Sequence, residues 1–262
     1  MSRTSRERES EGLGWHLASV RVLDWGASEV EKFVRDRCRE KQLESARTEV
    51  VFKHVLTAFS GENRRLMSKP LFVAQTTELV FDGHEFGSER DLLESLVAAY
   101  LEREQKEKLL DRDHRSILTS RQIEQLLVEL AEEMWNQETR ELDTRSAREI
   151  ADFVLSDVNL DPAEHKVVVE RMPAMAFLAP GERRSTIAFE HETFFAYFLA
   201  QRLASRIAHA PGSLSVLLGR SVLPNDVASL ATRRLLQTDP TTLGKLVKSL
   251  GDACLVHSLR QL

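Results

Sequence analysis

Residues 187–200 read Ile-Ala-Phe-Glu-His-Glu-Thr-Phe-Phe-Ala-Tyr-Phe-Leu-Ala. A short apolar run delivers His191 to the mouth of a helix whose buried face is almost entirely aromatic. Phe194, Phe195, Phe198 and Leu199 recur at helical spacing, with Tyr197 between them. Glu190 and Glu192 flank the histidine at the helix start, where negative charge suits the unpaired amides. A strand that feeds a helix at a single histidine fixes where the imidazole must emerge, and the question becomes what the ring touches.

The rest of the chain is read around that junction. Residues 1–14 are polar and expected to be a disordered lead-in, and Trp15 to Leu23 has the pattern of a short strand. Ser28 is positioned to cap a helix carrying Val30, Phe33, Val34 and Cys38 on one face. A second helix is expected over 46–59, with Val50, Val51, His54, Val55 and Phe59 at helical intervals and His54 partly covered. Leu66 to Ala74 opens another helix with Pro70 in its first turn, where a missing amide costs least. A long helix over about 89–110 carries Leu92, Leu93, Leu96, Val97, Tyr100 and Leu101, and the charge run 102–108 reads as a solvated face.

A boundary is expected near 111–119. Thr119 or Ser120 then caps a helix with the stripe Ile123, Leu126, Leu127, Leu130, Met134 and Trp135. A further helix near Ser146 is expected to bury Ile150, Phe153 and Val154. Residues 163–172 favour a strand locally at Val167-Val168-Val169 and a helix by their flanks, ending at Pro173. Met175 to Leu178 and Ser185 to Phe189 read as two short strands around the turn-rich tip Pro180-Gly181-Glu182-Arg183-Arg184. The tail is helical in pieces, around 213–219, 224–236 and 241–257. The fold class is therefore mainly α: a helical bundle, then a winged-helix domain with a short β-hairpin, then a C-terminal helical segment. The divisions are 1–20, 21–112, 113–205 and 206–262.

Composition narrows the chemistry. A net charge of -5 with interleaved bases argues against a polyanion partner, so nucleic acid is not expected. Two distant cysteines, Cys38 and Cys254, point to a reducing compartment and a cytoplasmic location. No apolar run is long enough to cross a bilayer, so no membrane role is expected. Gly244-Lys245 is not a phosphate loop, because Asp239 stands where the first glycine belongs and Leu246 where a hydroxyl belongs. His191 opens no metalloprotease motif, since Phe195 lies four residues on, and the scattered histidines and two cysteines give no metal site. No catalytic residues are assigned, and no activity is expected of the chain alone.

The segment Phe189-Glu190-His191-Glu192-Thr193-Phe194-Phe195-Ala196-Tyr197-Phe198-Leu199-Ala200 resembles the histidine signature that ends the winged-helix domain of NACHT-type proteins, the STAND class of P-loop NTPases. Ala196 departs from it, where the family usually has glutamate. Leu66 to Thr76 is similar to the proline-bearing segment of the family's first helical domain, Asp91 to Leu110 to the helix that follows, and Val22 to Arg37 to the stretch after the sensor arginine. The resemblance covers about residues 20–205, and the Walker A and Walker B elements have no counterpart.

The resemblance implies that His191 contacts the β-phosphate of ADP and that Pro70 packs on the adenine. Nucleotide (ADP or ATP) is then expected only with a complete NTPase core, in cis or in trans. Intact members oligomerise after sensing a ligand, and prokaryotic ones are often linked to defence against phage. Read from the residues alone, His191 is equally a junction histidine bonded to a backbone carbonyl, and Pro70 an ordinary first-turn proline. Arg183 and Arg184 keep a DNA-binding winged helix open as an alternative, and the amphipathic C-terminal pieces a helical adaptor.

Overall fold

A computed structural model describes residues 24–86, 91–183, 185–209, 217–219, 221–238 and residue 244. The lead-in, the strand expected at Trp15 to Leu23, Arg184, Cys254 and nearly all of the helix expected at 241–257 lie outside the described residues. The described chain is mainly helical with one small antiparallel sheet of three strands. It divides into two compact units, residues 1–99 and 100–262.

In the first unit, α1 (Ala27–Glu40), α2 (Ser45–Ala58) and the short α3 (Arg64–Met67) pack on α4 (Pro70–Phe81). Helix α1 starts two residues earlier than Ser28 suggests. Gly26 is the cap residue, and the Glu29 carboxylate turns back to accept its N–H at 2.9 Å. Ser28 instead donates to the same carboxylate. Val30, Val34 and Cys38 form the buried stripe, and burial pushes the Cys38 thiol up, away from reactivity. On α2 the buried residues are Val51, Val55 and Ala58. Val50, expected in that stripe, is 52% exposed, while His54 is partly covered as expected. Glu78 of α4 receives both Arg37 and Lys41 from α1 and its C-terminal turn, which ties the two elements at their polar edge.

Helix α5 (Asp91–Arg103) buries Leu92, Leu93, Leu96, Val97, Tyr100 and Leu101, the stripe expected from spacing. It then widens into a π-helical turn, Glu104–Lys108. The charge run is not wholly solvated, because Glu104 is fully buried. Its Oε1 accepts from the Ala176 N–H and from Lys108 Nζ, each at 2.8 Å. Lys108 also donates to the Ala174 carbonyl, and Arg171 donates to the Lys108 carbonyl at 2.6 Å. Oε2 of Glu104 has no partner among the described residues. Burying a charge is costly without pairing, and this bond set holds the turn to the segment that precedes the hairpin.

Helix α6 (Ser120–Asn136) opens with Thr119 as its cap. Thr119 and Gln122 exchange hydrogen bonds in a capping box. All six residues of the expected stripe are at most 5% exposed. Strand β1 (Glu141–Asp143), absent from the sequence reading, follows and leads directly into α7 (Thr144–Leu155). Helix α7 buries Ala147, Ala151, Val154 and Leu155, so Phe153 lies on the outer face at 76% exposure instead of in the core. Residues 162–171 are helical (α8, Pro162–Arg171), because Asp161 and Glu164 form a second capping box with Pro162 in the first turn. A short 3₁₀ turn through Pro173 ends it.

The hairpin strands are β2 (Leu178–Pro180), which shares only Leu178 with the strand expected at 175–178, and β3 (Thr186–Phe189), one residue shorter than expected. The sheet order is β1-β3-β2, all antiparallel, with Ala188 of β3 opposite both Glu141 and Ala179. The last strand is therefore central, every residue of it is buried, and it feeds α9 (Glu192–His209). Helix α10 (Asn225–Thr238) packs along α9 through Val227, Ala231 and Leu235. Trp135 Nε1 donates to the Leu217 carbonyl at 2.7 Å, which fastens the start of this C-terminal part to the end of α6.

Candidate functional site

His191 sits between the central strand and α9, and two backbone bonds fix its approach. The Glu190 N–H donates to the Phe177 carbonyl at 2.8 Å, and the His191 carbonyl accepts from Phe194 at 3.0 Å and Phe195 at 3.4 Å. His191 is thus the capping residue of α9. Its ring completes the cap, since Nδ1 accepts the Thr193 N–H at 3.1 Å. One bond of the ring is therefore to a backbone amide. An accepting nitrogen carries no proton, so the neutral ring holds its hydrogen on Nε2. The ring is partly exposed and is not sealed in the core.

Aromatic packing makes this mouth rigid. Phe177 meets Phe194 and Phe198 edge-on, each at 5.2 Å between centroids, and Tyr100 closes on Phe177 and Phe194 at 5.4 and 5.7 Å. Edge-to-face pairs of this kind add about 0.5–1.5 kcal/mol beyond area burial. Burial, reinforced by the negative charge of Glu190 and opposed by Arg103, pushes the Tyr100 hydroxyl up to about 12.

A second cation stands beside the histidine helix. Arg140, just before β1, lays its guanidinium 4.2 Å from the centroid of the Phe195 ring and reaches to 3.6 Å from Glu192. Sequence reasoning missed it. Arg140 is some fifty residues from His191, and only the pairing of β1 with β3 brings the two segments together. The histidine is flanked in sequence by the carboxylates Glu190 and Glu192, and the Arg140 guanidinium reaches the second of them.

Pro70 occupies the first position of α4 and is half-buried. The segment before it is pinned twice: Trp25 N–H donates to the Ser68 carbonyl at 2.8 Å, and Lys69 pairs with Asp24 at 2.7 Å. Pro70 belongs to the first unit and His191 to the second, each with its own local geometry.

The hairpin tip is organised by Glu141. Its Oε2 accepts from the Glu182 N–H at 2.8 Å and from Thr186 Oγ1 at 2.7 Å. Burial would raise this carboxyl, but these hydrogen bonds and the nearby Arg183 together hold it below the usual carboxylate range. Arg183 lies 3.6 Å from Glu141 while its own side chain stays exposed. The groove between α7 and α8 is lined by Arg148, Asp152, His165, Lys166, Val169 and Glu170. His165 there faces Asp152 at 3.6 Å, and Lys166 faces Glu170. Among the described residues no cluster of metal-ligating side chains is present, and no helix is long and apolar enough to cross a membrane.

No protein-family model matches the chain, and no curated protein matches it by sequence.

Proposed function

We propose that the chain is the regulatory, nucleotide-state-sensing portion of a NACHT-type STAND ATPase, acting with an NTPase core supplied in cis or in trans. In this reading residues 113–205 are the winged-helix domain. The order helix, strand, helix, helix, hairpin, with the last strand in the centre of the sheet, supports it. The observation that carries the functional reading is the presentation of His191: held through Nδ1 at the mouth of α9 and partly exposed.

A neutral imidazole N–H pointed at a phosphate oxygen is a charge-assisted donor worth about 1.5–3 kcal/mol. The bond exists only while the winged-helix domain is docked on the nucleotide. Its loss would shift a closed-to-open equilibrium by roughly tenfold or more. Arg140, held against Phe195 and Glu192 on the same helix, adds a nearby positive charge. Pro70 would cover the adenine as a rigid apolar ring, and no step of catalysis is assigned to this chain.

Calorimetric titration of the chain with ADP tests the reading. One or two contacts without a phosphate loop give a Kd in about the millimolar range. Addition of a core-bearing polypeptide should tighten it in a His191-dependent way. Submicromolar ADP binding by the chain alone, or tight complex binding that His191→Ala leaves unchanged, refutes the reading. Salt-sensitive DNA binding lost on replacing Arg183 would favour a DNA-binding winged helix instead.

A further inference from the structure

The apolar side of α9 nearly repeats itself every four residues. Phe194 is followed by Phe198, Phe195 by Leu199, Ala196 by Ala200 and Ala204, and Leu199 by Leu203 and Ile207. All of these are buried. A helix displaced by one turn along its axis would offer nearly the same apolar face to its neighbours. Outside the edge-to-face contacts of Phe194 and Phe198 with Phe177, hydrophobic burial is non-directional and discriminates poorly between two such positions. Unwinding the first turn would supply the slack for such a move, so the two-residue link to β3 does not forbid it.

Charged pairs break the degeneracy. Arg202 donates from Nη2 to Glu129 at 2.7 Å and from Nε to Glu132. Arg206 donates to the other oxygen of Glu132 at 2.9 Å, and Gln201 reaches Glu124 at 2.5 Å. The partners 124–201, 129–202 and 132–206 advance together, so α6 and α9 run in the same direction. The network is poorly solvated: the Glu132 side chain is 10% exposed and those of Glu129 and Arg202 21% and 22%. A one-turn shift away from the sheet would bring Phe198 to the place of Arg202 and leave Glu129 without its cation. The reverse shift would drive Arg202 into the fully buried place of Phe198. Either leaves a poorly solvated charge unpaired, which is strongly unfavourable.

We infer that this four-charge network is a register lock, holding α9 at one axial position on α6 and thereby holding His191 in its cap at the helix mouth. The network acts on His191 from eleven residues away, about 16 Å along the helix. Arg202 is its central positioning residue, since it donates to both carboxylates. In the displaced register the first turn is unwound, and the bond from Thr193 to the His191 ring is lost. The geometry alone carries this inference: absent ADP binding would leave it standing, and its failure would leave the nucleotide reading untouched.

The test is NMR of the full chain, following the His191 ring Cε1–H and the Thr193 amide in wild type and Arg202→Met. Expected for the variant is a second set of signals at both positions, with faster exchange of the Thr193 amide. The amides of α8 and the hairpin should keep their protection. A single wild-type set in folded Arg202→Met overturns the proposal, as does a uniform loss of protection across the second unit. If Arg202→Met does not fold, Arg202→Gln, which keeps a hydrogen-bond donor but removes the charge, is read by the same signals. Unchanged signals in that variant, or its failure to fold as well, count against the lock.

Discussion

Replacing Gly181 by alanine would place a methyl carbon 2.1 Å from Thr186 Oγ1 and 2.4 Å from Glu141 Oε2. Ordinary contact begins near 3.4 Å, so each oxygen must retreat by an ångström or more. Neither is a free side-chain end, because the two are bonded to each other and Glu141 also accepts the Glu182 N–H. Retreat breaks one or two hydrogen bonds to a carboxylate, each worth about 1.5–3 kcal/mol. Gly181 is not in the left-handed region, so alanine also removes unfolded-state entropy, an opposing gain of about 0.4–1 kcal/mol. The clash wins, with a net loss of about 3 kcal/mol. For a unit of this size that lowers Tm by about 6–12 °C, readable by calorimetry or near-ultraviolet circular dichroism. In a Glu141→Ala background the same change should cost much less, because one of the two obstructing oxygens and its bonds are gone. A Gly181→Ala protein melting within about 2 °C of wild type, or full additivity with Glu141→Ala, would refute the reasoning.

Glu104→Ala should cost about 1–3 kcal/mol, because it leaves the Ala176 amide without its acceptor and Lys108 with only the Ala174 carbonyl; Glu104→Gln, which keeps an acceptor, should cost less in the same denaturant titration. His191→Ala should lose about 0.5–2 kcal/mol of cap stability while His191→Asn retains most of it, measured by chemical denaturation. The pH profile should carry two opposite signatures. Glu141 is held low, so its contribution is present above the ordinary carboxylate value of 4.5 and lost as pH falls through its lowered value; Glu141→Gln should flatten the acid limb of Tm. Glu129 is raised, chiefly by burial with Arg202 opposing, so its contribution is full below 4.5 and lost as pH rises through its raised value; Glu129→Gln should flatten that side.

What could be read from the sequence were features whose cause is local. The capping box at Thr119 and Gln122, the stripe of α6, Pro70 at the start of α4 and the strand-to-helix junction at His191 follow from residues a few positions apart. The illegible features depend on distant partners. Strand β1 is only three residues, Glu-Leu-Asp, and exists because β3 pairs with it. Glu104 looks like one more member of a charge run until Ala176, seventy-two residues on, turns its amide toward it. Phe153 was misplaced because α7 carries two competing apolar rows, and packing selects the smaller one through Ala147 and Ala151. Arg140 had no signal at all. The Val167-Val168-Val169 run favoured a strand by propensity, and the capping box at Asp161 outweighed it.

The most direct measurement is an ADP titration of isotope-labelled chain, observed at the ring signals of all eight histidines. Expected is a weak, saturable shift at His191, with the Thr193 amide following and His54 and His165 silent. Shifts centred on any other histidine, or none at His191 at saturating ADP, would contradict the assignment of that ring to a phosphate.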